Sequence, residues 1–156
     1  MKEILVIGAG PAGIMAALTA IRHGAAVKVF EKNDIVGKKL GITGKGRCNL
    51  TNACPMNEFI AHTPGHGKFL FSAYGQYTNE DLLGQLKTWG LETKVERGGR
   101  VFPESDSAVA VRKFFYYVLR DAGVDLHLEE PVTAVRSWGD KFVVQTAQGT
   151  YEGDAC

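Results

Sequence analysis

At 156 residues, with 45% apolar and 22% charged side chains, the chain has the size and composition of one folded domain with a sizeable core, which excludes a disordered polymer. A formal net charge of +1 and the lack of any run of basic residues argue against nucleic acid or a membrane surface as partner. No apolar stretch approaches the roughly 18 residues of a membrane span, and the first strand is expected to start at the third residue, which leaves no room for a signal peptide and makes a cytoplasmic location the default.

Ile4, Leu5, Val6 and Ile7 form a continuous apolar run, the pattern of a strand covered on both faces. The turn GAGPAG follows, with Gly8, Gly10 and Gly13 in G-x-G-x-x-G register, and an Ala-rich segment from Pro11 to His23 reads as the helix it opens, closed by Gly24. Ala26 to Phe30 is a second apolar strand that delivers Glu31 and Lys32 at its carboxyl end. In such a unit the first glycine permits the tight turn, the second lets backbone approach a pyrophosphate, and the third lets helix and strand pack closely. Pro11 suits the first helical turn because its missing N–H is one the helix would not use. The phosphates of a dinucleotide would then rest on the open helix start around Pro11 and Ala12. Glu31 lies 18 residues beyond Gly13, where a carboxylate can accept hydrogen bonds from ribose hydroxyls. The same charge repels a 2'-phosphate and disfavours NADP at this position.

From Lys32 to Asn57 the periodicity stops and a glycine-rich, cationic loop takes over. Gly37, Gly41, Gly44 and Gly46 permit close backbone approach to a ligand, while Lys38, Lys39, Lys45 and Arg47 supply positive charge. Loops of this length inside compact domains are usually functional.

With GAGPAG, EKN, GKKLGITGKGRCNLTN and the later FPESDSA in view, the chain resembles the FAD-dependent oxidoreductases of the BaiN-type, aminoacetone-oxidase-like flavoprotein family. Their hallmark is a loop of the form G-K-K-x-x-x-[ST]-G-x-G-R-C-N-x-T-N. The resemblance implies an α/β, Rossmann-like FAD-binding domain with a parallel sheet, crossover helices and an antiparallel β-meander. It also implies that the 156 residues are the amino-terminal part of a two-dinucleotide-fold protein, followed by a strand returning to the FAD and by a substrate domain. In matching positions Glu31 would hold the adenosine ribose, Lys39, Leu40, Thr43, Gly44, Arg47 and Asn49 would line pyrophosphate and flavin, and the backbone of Val132 would touch the adenine.

Past the loop, Gly67 to Tyr77 and Asn79 to Trp89 read as helices, the second with Leu82, Leu83, Leu86 and Trp89 on its core face. Glu92 to Glu96 and Arg100 to Phe102 flank Gly98-Gly99 as a hairpin. Ser105 or Asp106 is expected to cap a helix running to Ala122, with Val111, Phe114, Phe115, Val118 and Leu119 as its buried stripe and Tyr116 and Tyr117 packing beside it. Val124 to Leu128 should join the first sheet as a third parallel strand. Pro131 to Trp138, Lys141 to Thr146 and Thr150 onward then form the meander.

Cys48 and Cys54 match neither a zinc pair nor a C-x-x-C redox motif, so no metal site is expected and Cys48 is assigned to packing. His62 and His66 are four apart, but Pro64, Gly65 and Gly67 keep them off one helix face. The reading is a flavoprotein oxidoreductase in which FAD carries the electrons, a small molecule is substrate, NAD(P)H is a candidate electron donor, and Arg47 or a neighbouring lysine stabilises charge on the flavin. An NAD-linked dehydrogenase and a non-catalytic nucleotide-binding module are the alternatives. No catalytic acid or base is assigned, and Glu130 is treated as a carboxylate remote from the ribose.

Overall fold

In a computed structural model that describes residues 1–156, the chain runs β1 (Glu3–Ile7), α1 (Pro11–Arg22), β2 (Ala26–Phe30), β3 (Thr51–Asn52), α2 (Met56–Ala61), α3 (Phe71–Gln76), α4 (Asn79–Thr88), β4 (Thr93–Val95), β5 (Arg100–Pro103), α5 (Ala108–Asp121), β6 (Asp125–His127), β7 (Val132–Trp138), β8 (Lys141–Thr146) and β9 (Thr150–Gly153). It divides into two compact units, Met1–Gly41 with Arg112–Cys156, and Ile42–Val111.

The first unit is the Rossmann-like part. β1 pairs with β2 in parallel, Leu5 opposite Lys28 and Ile7 opposite Phe30, and β2 pairs with β6, giving the order β1-β2-β6. This is the three-stranded parallel layer expected from the sequence. α1 is the crossover, and it buries Ile14, Ala17 and Leu18; the small Ala17 is completely covered. The chain leaves the helix through Gly24, whose φ of 79° is left-handed and suits glycine. β7, β8 and β9 form the antiparallel meander in sequential order. Leu5 and Phe30 of the parallel layer and Val144 of the meander make one buried cluster, with Val132 and Tyr151 packed against it. After β9, Asp154 and Ala155 begin to line up along β1, where the Leu5 N–H donates to the Ala155 carbonyl at 2.9 Å.

Under the meander lies a carboxylate that sequence reasoning placed in no role. Glu130 is 4% exposed and accepts hydrogen bonds from the Thr146 hydroxyl at 2.6 Å and the Tyr151 hydroxyl at 2.7 Å, with His127 Nδ1 2.9 Å away. Burial pushes its pKa up, but these partners outweigh burial and hold it below the ordinary glutamate value.

The second unit carries a small antiparallel sheet of order β3-β5-β4. The β4–β5 connection turns through Gly98 and Gly99, with φ of 76° and 72°, as their spacing predicts. α4 starts on a reciprocal capping box in which Thr78 and Asp81 satisfy each other's backbone N–H groups. Leu86 is its fully buried residue, while Leu82, Leu83 and Trp89 are half-buried.

Three local expectations are corrected. α5 is capped by Ser107, whose Oγ accepts the Ala110 N–H at 3.2 Å, and not by Ser105 or Asp106; the Asp106 carboxylate is bonded to Arg47 and Lys94. On α5 Val111, Phe115 and Leu119 are buried, whereas Tyr116 and Tyr117 are 39% and 49% exposed, because residues one and two past Phe115 turn away from its face. The stretch from Lys32 to Asn57 is not continuous loop, since Leu40–Gly46 holds short 3₁₀ turns broken by a kink at Thr43, Gly44 and Lys45, β3 pairs with β5, and α2 starts after Pro55. No helix is long and apolar enough to cross a membrane.

Candidate functional site

The first unit builds the dinucleotide-like end. β1 stops at Ile7, and the Gly8 N–H donates to the Phe30 carbonyl at 2.7 Å, so the turn starts locked to the end of β2. Gly8 has a φ of 94°, and Gly10 is extended and leads directly into Pro11 at the helix start. No side chain caps α1, and Pro11 and Ala12 are exposed, which leaves the positive end of the helix open. A Cβ placed on Gly13 would overlap the Gly8 carbonyl oxygen, so only glycine allows this approach of helix to turn. A Cβ on Gly10 would meet no protein atom within 4 Å. The glycines therefore have different tasks: Gly13 is required by the fold, and Gly10 faces open space.

Glu31 stands at the carboxyl end of β2, 8% exposed. Its Oε2 accepts the Ala9 N–H at 2.8 Å, and its Oε1 accepts the Asn33 N–H at 2.9 Å and the Asn33 side-chain amide. Burial pushes its pKa up, but the Asn33 and Ala9 N–H groups, with the charge of exposed Lys32, outweigh it and hold the carboxylate ionised. Gly37 donates its N–H to the Ala9 carbonyl at 2.8 Å and Leu40 donates to Gly37 at 2.8 Å, which ties the GKKLG segment to the glycine turn. Lys39 is exposed, and Lys38 donates to the Asn33 side chain at 2.8 Å. Val132 opens β7 two residues after Glu130, whose N–H donates to the Glu31 carbonyl at 2.9 Å. Gly8, Gly10, Pro11, Ala12, Gly13, Glu31, Lys32, Lys39, Leu40 and Val132 thus all belong to this unit.

Thr43, Gly44, Arg47 and Asn49 belong to the second unit. Thr43 is extended, Gly44 and Lys45 both have a φ of 56°, and Cys48 has a φ of 65°. The turn closes through Arg47 N–H to Gly44 at 3.2 Å and Cys48 N–H to Thr43 at 3.1 Å. With Gly46 at a φ of 85°, four of the five residues from Gly44 to Cys48 are left-handed, two of them not glycine, a concentration of the kind kept where geometry serves a function. Gly44 is obligatory, since a Cβ there would lie 2.8 Å from the Asn49 nitrogen and 3.0 Å from Phe102 Cε1. Arg47 is not a free cation. Its Nε donates to Asp106 at 2.8 Å, its Nη groups reach Glu96, and the guanidinium lies 4.2 Å over the Phe102 ring. Lys94 joins the cluster at 2.5 Å from Asp106. Cys48 is fully buried and burial pushes its thiol pKa up, so it is a packed thiol and not a thiolate.

Residues 2–156 match the family described as the HI0933-like protein Rossmann domain. The chain belongs to this family. Within it, the HI0933-like segment is 32% identical over 157 aligned positions to 3-dehydro-bile acid delta(4,6)-reductase of Clostridium scindens, covering 99% of this chain and 37% of that enzyme. It is 31% identical over 106 positions to a ribosomal RNA dihydrouridine synthase of Haemophilus influenzae, covering 65% of this chain and 25% of that protein. The chain thus spans about a third of the length of the curated relatives it matches. Among solved structures it is similar to Thermovibrio ammonificans THI4, with a TM-score of 0.63 and 12% identity over 99% of this chain and 54% of that one. It is likewise similar to the Diels-Alderase PyrE3, with a TM-score of 0.57 and 20% identity over 100% of this chain and 32% of that one. These two likenesses carry the Rossmann-like fold.

Proposed function

We propose that this HI0933-like domain holds FAD noncovalently and serves a flavin-dependent oxidoreductase that reduces or oxidises a small molecule, with NAD(P)H as electron donor. The observation that carries the reading is the Glu31–Ala9 bond. It places an ionised carboxylate against the glycine turn, beside an uncapped helix start and a Gly10 face free of protein atoms. These residues fit a dinucleotide: the helix start and Gly10 receive the diphosphate, and the outer lone pairs of Glu31 accept ribose hydroxyls. FAD, once bound, supplies the hydride or electron chemistry, while the chain binds and orients it. Buried Cys48 offers no reactive thiolate for covalent attachment.

A small-molecule substrate is favoured because the relative matched over nearly the whole chain is named for reduction of a bile acid. The near-neutral charge of the chain points the same way. The test is to purify the protein, record its visible spectrum, denature it in acid and identify the released chromophore. FAD in the supernatant and bleaching by NADH in the native state support the reading. Flavin that stays with the precipitated chain sinks the noncovalent part, and NAD as the extracted nucleotide sinks the whole.

A further inference from the structure

Arg112, in the first turns of α5, is half-buried and keeps one guanidinium N–H without a protein acceptor. Its Nε is shielded from solvent and has no hydrogen-bond partner, and no carboxylate pairs with its guanidinium. A buried polar group left unsatisfied costs stability that nothing else in the fold returns, and native structures keep few of them. The surroundings indicate what the group is held for. The Arg112 stem runs along the GKKLG segment: a Cβ on Gly37 would lie 3.5 Å from Arg112 Cγ, and one on Gly41 would lie 3.2 Å from Nη1. Glycine at position 41 therefore leaves the guanidinium room beside the backbone. That same segment is bonded to the glycine turn through Gly37 N–H and Ala9. The guanidinium, on α5, thus belongs to one unit with Lys38, Lys39 and the open start of α1, and the buried carboxylate of that turn, Glu31, is bonded to Ala9 and Asn33.

We infer that Arg112 is a phosphate-binding residue of the dinucleotide site, donating from its guanidinium edge to an anionic oxygen of the bound nucleotide. The inference rests on the dinucleotide reading above and adds a residue outside the glycine turn and the cationic loop. Planar, always charged and rich in donors, a guanidinium is suited to phosphate oxygens in a way that lysine is not.

The test separates phosphate binding from support of the fold. FAD is titrated by fluorescence, and ADP and adenosine by calorimetry, against the wild-type protein, Arg112→Gln and Arg112→Lys. The expected result is that Arg112→Gln weakens FAD and ADP by about ten- to a hundred-fold, leaves adenosine unchanged and melts no lower without ligand. Arg112→Lys should fall between, since it keeps the charge and loses the fork. Equal weakening of ADP and adenosine would show a structural role and overturn the inference, as would unchanged affinity for all three. Failure of the two ideas is distinguishable: wild-type protein that refuses FAD while showing Arg112-dependent ADP binding overturns the flavin reading alone. Wild-type protein that binds neither nucleotide overturns both.

Discussion

Arg47 donates its Nε–H to Asp106 at 2.8 Å across 59 residues of sequence, and so fastens the GKGRCN turn to the FPESD segment. Asp106 has a φ of 49° and also holds Lys94, while Glu96 meets the other edge of the guanidinium and Phe102 lies beneath it. The lysine and arginine around them push the pKa values of Asp106 and Glu96 down, and the carboxylates push that of Arg47 up, so all three stay charged at any moderate pH. The two most distinctive stretches of the sequence are thus one structural device. Asp106→Asn keeps a side chain tolerant of the left-handed backbone and removes the charge. It should speed amide exchange at Arg47 and Cys48, whose N–H groups close the turn, and leave the Gly37 amide in the other unit unchanged. Uniform or absent change in hydrogen exchange at all three amides would show that the pair does not hold the turn.

Glu31→Ala should weaken FAD binding by about ten- to a hundred-fold, because a charge-assisted hydrogen bond contributes on the order of 1.5 to 3 kcal/mol. It also strips the Ala9 N–H of its acceptor, so a lower melting temperature should accompany it. Glu130→Ala is an unsuitable comparison, since that carboxylate is buried among Thr146, Tyr151 and His127. The exposed Glu152 is the better one. Dissociation constants that agree between Glu31→Ala and Glu152→Ala would dismiss the ribose assignment.

How much of this was legible in the chain depended on the distance between partners. β1, α1 and β2 are announced by short-range signals, an apolar run, glycines at fixed offsets and a helix-ending glycine, and they form where those signals say. The α5 cap was ambiguous because Ser105, Asp106 and Ser107 are all good caps, and the choice is made by Arg47, far off in sequence. Glu130 gave no signal, since its partners Thr146 and Tyr151 lie 16 and 21 residues downstream on two further strands. Arg112 was likewise hidden, as an arginine on a helix ordinarily faces water, and only the packing of Gly37 and Gly41 against it sets it apart.

The first unit should lose stability in acid. Glu130 and Glu31 both have folded pKa values below the ordinary glutamate value of 4.5. The unfolded chain therefore binds more protons than the folded one through this range, and the carboxylates' contribution is fully present above about pH 5 and lost as pH falls through the folded values. Glu130→Gln should cost about 1 to 3 kcal/mol at pH 7, because an amide cannot accept from three donors as a carboxylate does. It should also flatten the dependence. Urea midpoints for both proteins between pH 7 and pH 3 check this, and parallel curves would contradict it.

The glycine turn offers the sharpest separation of fold from function. Gly13→Ala forces a methyl group into the Gly8 carbonyl oxygen, and overpacking of this kind typically costs about 1 to 3 kcal/mol, so its melting temperature should drop by several degrees. Gly10→Ala adds the same methyl group where no protein atom lies within 4 Å and where φ is −78°, a value alanine adopts freely. Its melting temperature without ligand should match the wild type. If a diphosphate approaches the backbone at Gly10, that methyl group occupies the ligand's space, and FAD affinity should fall at least ten-fold while the fold stays intact. Gly10→Ala protein that melts normally and binds FAD normally would remove the diphosphate from this face of the turn, and with it the functional reason for the second glycine of the motif.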